Sequence, residues 1–115
     1  MKISARVLDG TYGKPAAGVH ARLTRATEST WTSIAVMETD ENGLIEDWDS
    51  WNLERGLYQV VFDSDRYFAS LGTIAAYPEV VIMFRMVDDA HAFQVQVILA
   101  PYAYSTYFSI CDEGR

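Results

Sequence analysis

The chain has 115 residues, a net charge of −7 and nine Lys and Arg residues that are scattered along its length. A chain of this size can bury roughly two thirds of the surface of its unfolded form, so we expect one domain, residues 1–115, that folds without a metal or a disulfide. Nucleic acid is not an expected partner, because binding it requires clustered cations that replace the counterions on phosphates. No apolar run approaches the roughly 18 residues of a membrane-spanning helix, so no membrane partner is expected.

The composition also limits the chemistry. Cys111 is the single cysteine, so an intrachain disulfide is excluded. His20 and His91 are the only histidines, and the sequence has neither a Cys/His cluster with metal-ligand spacing nor a glycine-rich phosphate loop. We therefore expect no metal and no cofactor. Met1 and Lys2 lead directly into a strand pattern without a basic and apolar leader, which favours an intracellular, cytoplasmic protein.

Alternation of apolar and polar residues over short windows predicts strands along most of the chain. The loop DGTYGKPAAG follows the first strand, and the turn TDENGLIED contains an Asn-Gly pair that is typical of tight turns. The predicted strands are, in chain order, KISARVLD, VHARLTR, TWTSIAVME, GLYQVVFD, EVVIMFRMV, AFQVQVILA and YAYSTYFSI.

The segment SDRYFASLG, residues 64–72, predicts one short helix. Ser64 or Asp65 is expected to cap its start, Tyr67, Phe68 and Leu71 to share one face, and Gly72 to end it. Seven or eight strands at regular spacing with one helix predict an all-β antiparallel β-sandwich.

Five segments together resemble the transthyretin and 5-hydroxyisourate hydrolase family. They are RVLDGTYGKPAAGVHARL, TDENGLI, GLYQVVFDSDRYFASLG, YPEVVIMF and ILAPYAYSTY, and they follow in order from about residue 3 to about residue 110. The resemblance implies a transthyretin-like sandwich that assembles as a homotetramer, a dimer of dimers, around a channel that carries the sites. In the hydrolase branch these sites hydrolyse 5-hydroxyisourate, whereas in transthyretin the channel binds thyroid hormone.

The chain departs from the hydrolase branch at the residues that carry the chemistry. The resemblance implies histidines at the positions of Arg6 and Gln94, an arginine at Leu44, and Tyr-Arg-Gly-Ser where this chain has residues 107–110. Neither Gln94 nor Arg6 can take a proton from water as an imidazole can, and Leu44 cannot hold an anion. These departures predict that efficient hydrolysis of hydroxyisourate is lost.

The same alignment predicts which residues line the channel. Arg6 would polarise a carbonyl, Gln94 would orient the substrate, and Tyr107 is the candidate acid. Leu44, Phe108 and Ser109 are the expected substrate-binding residues. A channel with fewer polar groups suits a small, fairly apolar metabolite that bears a carbonyl or hydroxyl group. Tyr102 and Tyr104 are expected to pack within the subunit or at its interface.

Three functions are compatible with this pocket. The first is a non-hydrolytic enzyme that guides a cyclisation, isomerisation or elimination in a biosynthetic pathway. The second is a carrier like transthyretin, and the third is a residual hydrolase of hydroxyisourate or of another cyclic amide. The sequence favours the first, because the scaffold is kept while the charged groups are lost. Asp9, Glu46 and Asp47 are alternative candidates for a base.

Overall fold

The computed structural model describes residues 2–46, 48, 53–87 and 91–112. Within these ranges the chain forms nine strands and one short helix. They are β1 Lys2–Asp9, β2 Lys14–Pro15, β3 His20–Thr27, β4 Thr30–Glu38, β5 Leu44–Ile45, β6 Gly56–Phe62, α1 Ser64–Ser70, β7 Val80–Met86, β8 His91–Ala100 and β9 Ala103–Asp112.

The strands form two sheets that pack face to face. Sheet A has the order β2-β1-β8-β9, with β5 also paired to β1, and sheet B has the order β4-β3-β6-β7. The predicted all-β sandwich is therefore confirmed. One pair departs from the antiparallel pattern, because β1 and β8 run parallel from Lys2 opposite Ala92 to Asp9 opposite Leu99. A parallel pair needs a long crossover, and here that crossover contains all four strands of sheet B.

The core lies between the two sheets and follows from the alternation in the strands. In β1 the side chains of Ile3, Ala5 and Val7 are buried, whereas those between them point away from sheet B. Sheet A also buries every second residue of β8 from Phe93 to Leu99, and sheet B buries large side chains such as Tyr58. The strands β1 and β8 therefore each present one apolar row inward and one row outward.

Helix α1 lies between β6 and β7, two neighbouring strands of sheet B, and its cap differs from the prediction. Asp63, not Ser64 or Asp65, is the N-cap residue, and its side chain accepts a hydrogen bond from the Arg66 backbone N–H at 3.0 Å. Ser64 is buried and donates instead to a backbone carbonyl. Leu71 follows the helix and is 38% exposed, so it does not share the buried face. No helix in the described ranges is long and apolar enough to cross a membrane.

The carboxylate of Asp9 joins the end of β1 to the loop after it and to helix α1. It is buried and accepts hydrogen bonds from the backbone N–H groups of Thr11 and Tyr12 and, at 2.7 Å, from the Tyr67 hydroxyl. Burial, together with the hydrogen bond to Asp9 and its negative charge, raises the pKa of Tyr67 well above its usual value of 10.0. The folded protein therefore holds this phenol in its neutral form.

This contact predicts a loss of stability at high pH. Because the pKa of Tyr67 is raised on folding, its contribution to the free energy of unfolding is fully present below pH 10.0. That contribution declines as the pH rises above this value. Replacing Tyr67 with Phe should reduce the decline by up to about 1.4 kcal/mol per pH unit. The measurement is the free energy of unfolding in urea at several pH values from about 9 to about 11.5, with Tyr102→Phe as the exposed control. Equal slopes for the two variants would contradict the prediction.

Candidate functional site

The outward side chains of β1, β8 and β9 form one surface on sheet A, which we call the outer face. Residues opposite each other in adjacent strands point to the same side of a sheet. The pairing gives two rows across this face, Ser4, Gln94 and Ser109 in one and Arg6, Gln96 and Tyr107 in the other. Leu44 in β5 lies opposite Arg6 in β1, which adds it to the same face.

Five of the six predicted site residues thus share this face, and Phe108 does not. Its ring lies 5.5 Å from that of Phe93 and 5.1 Å from that of Phe84, measured between centroids, on the core side of β9. The reason is the period of two in a strand: with Tyr107 and Ser109 outward, the residue between them points inward. The alternation in the sequence already indicates that Phe108 points to the opposite side of β9 from Tyr107 and Ser109.

A cavity of about 340 Å³ opens on the outer face where β1, β5 and β8 meet. Its lining residues are Lys2, Ser4, Leu44, Ile45, Glu46, Ala92, Phe93 and Gln94. Lys2 and Glu46 bring an ammonium and a carboxylate to one cavity that also holds the amide of Gln94. Sequence reasoning missed Lys2, although it alternates in register with Ser4 and Arg6 and so belongs to the outward row.

A second cavity of about 320 Å³ lies further along the same face, towards the C-terminal end of β1. It is lined by Arg6, Leu8, Asp9, Gly10, Gly13, Lys14, Pro15 and Ile98. Within the single chain Arg6 and Gln94 share the outer face, but Gln94 lines the first cavity and Arg6 the second. Tyr107, in the same row as Arg6, lines neither cavity and is 58% exposed.

The turn before β5 positions two of the residues that line the first cavity. Gly43 has a φ of 75°, and a Cβ there would run directly into the Val7 carbonyl oxygen. The Gly43 carbonyl accepts a hydrogen bond from the Val7 N–H at 2.8 Å. Only glycine allows this close approach, which brings Leu44 and Glu46 to the edge of β1.

A series of side-chain hydrogen bonds, which we call the glutamine relay, crosses the outer face. The Tyr107 hydroxyl donates to Gln96 Oε1 at 2.6 Å, and Gln96 Nε2 donates to Gln94 Oε1 at 2.8 Å. Gln94 Nε2 then approaches Ser4 Oγ at 3.4 Å. Sequence reasoning missed Gln96, although the Gln-Val-Gln alternation in β8 places both glutamines on one face.

The three alternative candidates for a base differ in placement. Asp9 is buried, and its carboxylate oxygens already accept hydrogen bonds from Thr11, Tyr12 and Tyr67. Asp47 lies outside the described residues. Glu46 is exposed and lines the first cavity. Across the described ranges, no group of three or more His, Cys, Asp and Glu residues is arranged to hold a metal ion.

The two four-strand paths, the helix between β6 and β7 and the polar outer face of sheet A define a transthyretin-like β-sandwich. The family model for the HIUase/Transthyretin family matches residues 3–108. The chain belongs to that family.

Several proteins similar to this chain are named 5-hydroxyisourate hydrolases. The chain is 37% identical over 110 residues to a probable 5-hydroxyisourate hydrolase of Schizosaccharomyces pombe, covering 91% of this chain and 88% of that protein. It is 32% identical over 106 residues to the 5-hydroxyisourate hydrolase of Salmonella typhi, covering 91% and 78%. The structure of the Klebsiella pneumoniae 5-hydroxyisourate hydrolase superposes with a TM-score of 0.84 at 27% identity, covering 95% and 99%.

These relatives correct the functional prediction. A non-hydrolytic cyclase, isomerase or eliminating enzyme was expected because Arg6, Leu44 and Gln94 replace charged or imidazole groups, and that prediction is wrong. Relatives at 30–37% identity over most of the chain are named hydrolases. The substitutions at these three positions change the groups available to a hydrolase but do not by themselves indicate a different reaction class.

The inward placement of Phe108 predicts an effect on stability. Replacing Phe108 with Ala removes a half-buried ring that packs on Phe93 and Phe84, which should lower the free energy of unfolding by about 2 kcal/mol. Tyr102→Ala removes a ring that is 74% exposed and should change it by no more than about 0.5 kcal/mol. Urea unfolding followed by circular dichroism measures both. A change for Phe108→Ala as small as that of the control would place its ring outside the core.

Proposed function

We propose that this protein is a hydrolase that acts on 5-hydroxyisourate or on a closely related cyclic amide, in the cavity between β1, β5 and β8. One observation supports this most directly. The cavity combines a carboxylate from Glu46, an ammonium from Lys2 and an amide from Gln94 in a volume of about 340 Å³. These are the group types that hydrolysis of an amide requires: one that accepts a proton and others that donate hydrogen bonds to an oxyanion.

The proposed chemistry uses these residues as follows. Glu46 takes a proton from water as the water oxygen bonds to the carbonyl carbon of the substrate. Lys2 and Gln94 donate hydrogen bonds to the carbonyl oxygen, which becomes negative in the transition state. The ring C–N bond then breaks, and the proton held by Glu46 passes to the leaving nitrogen. Water supplies the oxygen of the new carboxylate, so the reaction needs no cofactor.

The role given to Glu46 follows from what this chain lacks. The resemblance implies histidines at Arg6 and Gln94 and an arginine at Leu44, so the base and one anion-holding group must come from elsewhere. Leu44 also makes the cavity wall more apolar than an arginine would. We therefore propose a slower hydrolase than its relatives, with a preference for a substrate that carries an apolar substituent near Leu44.

We also propose that the protein forms a homotetramer in which the outer faces of sheet A meet across a channel. Ile98 in β8 and Tyr107 in β9 leave apolar surface exposed on the outer face, and such surface is normally covered in an assembly. Light scattering on the eluted protein should give about four times the monomer mass of 13.0 kDa. A monomer mass at micromolar concentration would exclude this assembly.

The catalytic role of Glu46 is tested with freshly generated 5-hydroxyisourate, whose decay is followed by its ultraviolet absorbance. The wild-type protein should accelerate the decay over buffer, and Glu46→Gln should lower kcat by about 100-fold with little change in KM, because the amide cannot take a proton. Glu41→Gln is the matched control: it removes an exposed carboxylate from the preceding turn, and it should retain the wild-type rate.

The outcomes test separately whether hydroxyisourate is the substrate and whether Glu46 is the base. Wild-type decay no faster than buffer would exclude hydroxyisourate as the substrate, and saturable binding without product would then indicate a carrier. Accelerated decay that is unchanged in Glu46→Gln would support the hydrolase activity but exclude Glu46 as its base.

A further inference from the structure

Hydrogen bonds along the glutamine relay are all donated in one direction, and the backbone carbonyl of Phe93 at its end fixes that direction. Ser4 Oγ lies 3.5 Å from the backbone carbonyl of Phe93 and donates its hydrogen to that oxygen. A carbonyl oxygen can only accept, so the serine oxygen is left to accept from Gln94 Nε2. Gln94 Oε1 must in turn accept from Gln96, and Gln96 Oε1 must accept from the Tyr107 hydroxyl.

This direction matters because a glutamine amide has two different ends. Its oxygen only accepts hydrogen bonds, and its NH₂ group only donates them. An unrestrained Gln94 could present either end to the cavity with similar energy. With its oxygen bonded to Gln96 at 2.8 Å, the NH₂ group is directed to the side of Ser4, which lines the same cavity. Only one of its two hydrogens is needed for Ser4.

We propose that Gln96 is a positioning residue that, together with Tyr107, fixes the Gln94 amide so that its free N–H points into the cavity. The cavity then selects a substrate with a carbonyl oxygen at this point and disfavours one with a hydrogen-bond donor there. This inference rests on the proposed function, because it assigns Gln94 to the carbonyl oxygen that becomes negative. Gln96 acts through Gln94 and does not touch the substrate.

The partial burial of the relay makes this restraint effective. Ser4, Gln94 and Gln96 are all half-buried, so water competes less well for their hydrogen bonds than on an open surface. The shortest contacts, at 2.6 and 2.8 Å, lie at the Tyr107 end, where the relay begins. The Phe93 carbonyl fixes the direction of the relay, and the short bond from the Tyr107 hydroxyl occupies Gln96 Oε1 so that the Gln96 NH₂ group stays on Gln94.

Substitutions of Gln96 give an ordered series that tests this direction. Gln96→Leu removes the restraint, so the Gln94 amide should populate both orientations and kcat/KM should fall about twofold. Gln96→Glu places a carboxylate, which only accepts, beside Gln94. That should turn the amide around and lower kcat/KM by about tenfold. Gln59→Leu and Gln59→Glu are matched controls on sheet B, and both should retain the wild-type value.

The salt dependence of the Gln96→Glu variant distinguishes an effect of its new charge from an effect of the Gln94 orientation. A loss caused by repulsion between the new carboxylate and an anionic substrate shrinks at high ionic strength, whereas a loss caused by a reversed amide does not. Measurements at low and high salt should therefore give the same ratio of Gln96→Glu to wild type. A loss that disappears at high salt, or a larger loss for Gln96→Leu than for Gln96→Glu, would overturn the inference.

A second readout needs no substrate and so separates this inference from the proposed activity. In the ligand-free protein, the side-chain NH₂ signals of Gln94 in a ¹H–¹⁵N spectrum should shift in Gln96→Leu and Tyr107→Phe. In Gln96→Glu one of these protons should move downfield, because it then donates to a carboxylate. The Gln59 variants should leave these signals unchanged. The inference would be overturned, even if the enzyme is active, if the Gln94 signals did not shift in the Gln96 variants or showed no downfield proton in Gln96→Glu.

Discussion

The buried carboxylate of Asp9 is the interaction on which the rest of the arrangement depends. It lies at the end of β1, the strand that pairs with β2, β5 and β8, and it holds the following loop and helix α1 through hydrogen bonds from Thr11, Tyr12 and Tyr67. A buried carboxylate is stable only when such donors surround it. Because they come from separate parts of the chain, Asp9 fixes where the helix lies against the end of sheet A.

Sheet A separates structure from chemistry by alternation alone. Its inward rows, such as Ile3, Ala5 and Val7, are buried, and its outward rows carry the polar groups that face the cavities. A substitution in an outward row changes the site without disturbing the core. Members of one family can therefore differ at Arg6, Leu44 and Gln94 and still keep the same sandwich.

Much of this arrangement was predictable from the sequence, and the parts that were not have physical reasons. Alternation and turn residues gave the strands, and the resemblance in five segments gave the family and the shared face of Arg6, Gln94 and Tyr107. Alternation would also have placed Phe108 inward and Gln96 outward. The parallel pairing of β1 with β8 depends on tertiary contacts, which local patterns do not encode. Asp63 caps the helix through a local contact with Arg66, so the sequence carried that signal; Ser64 is not the cap because its hydroxyl bonds to the distant Tyr77 carbonyl.

The parallel pairing of β1 with β8 has a consequence for how the molecule folds. The contact between Ser4 and Gln94 joins residues that are 90 positions apart. Pairings over such distances form slowly, because a long loop must close before the contact stabilises anything. Sheet B is built from strands closer in sequence and can assemble first. During synthesis, β1 cannot pair with β8 until β8 has been made. The cavity that β1, β5 and β8 enclose would then be among the last features of the molecule to form.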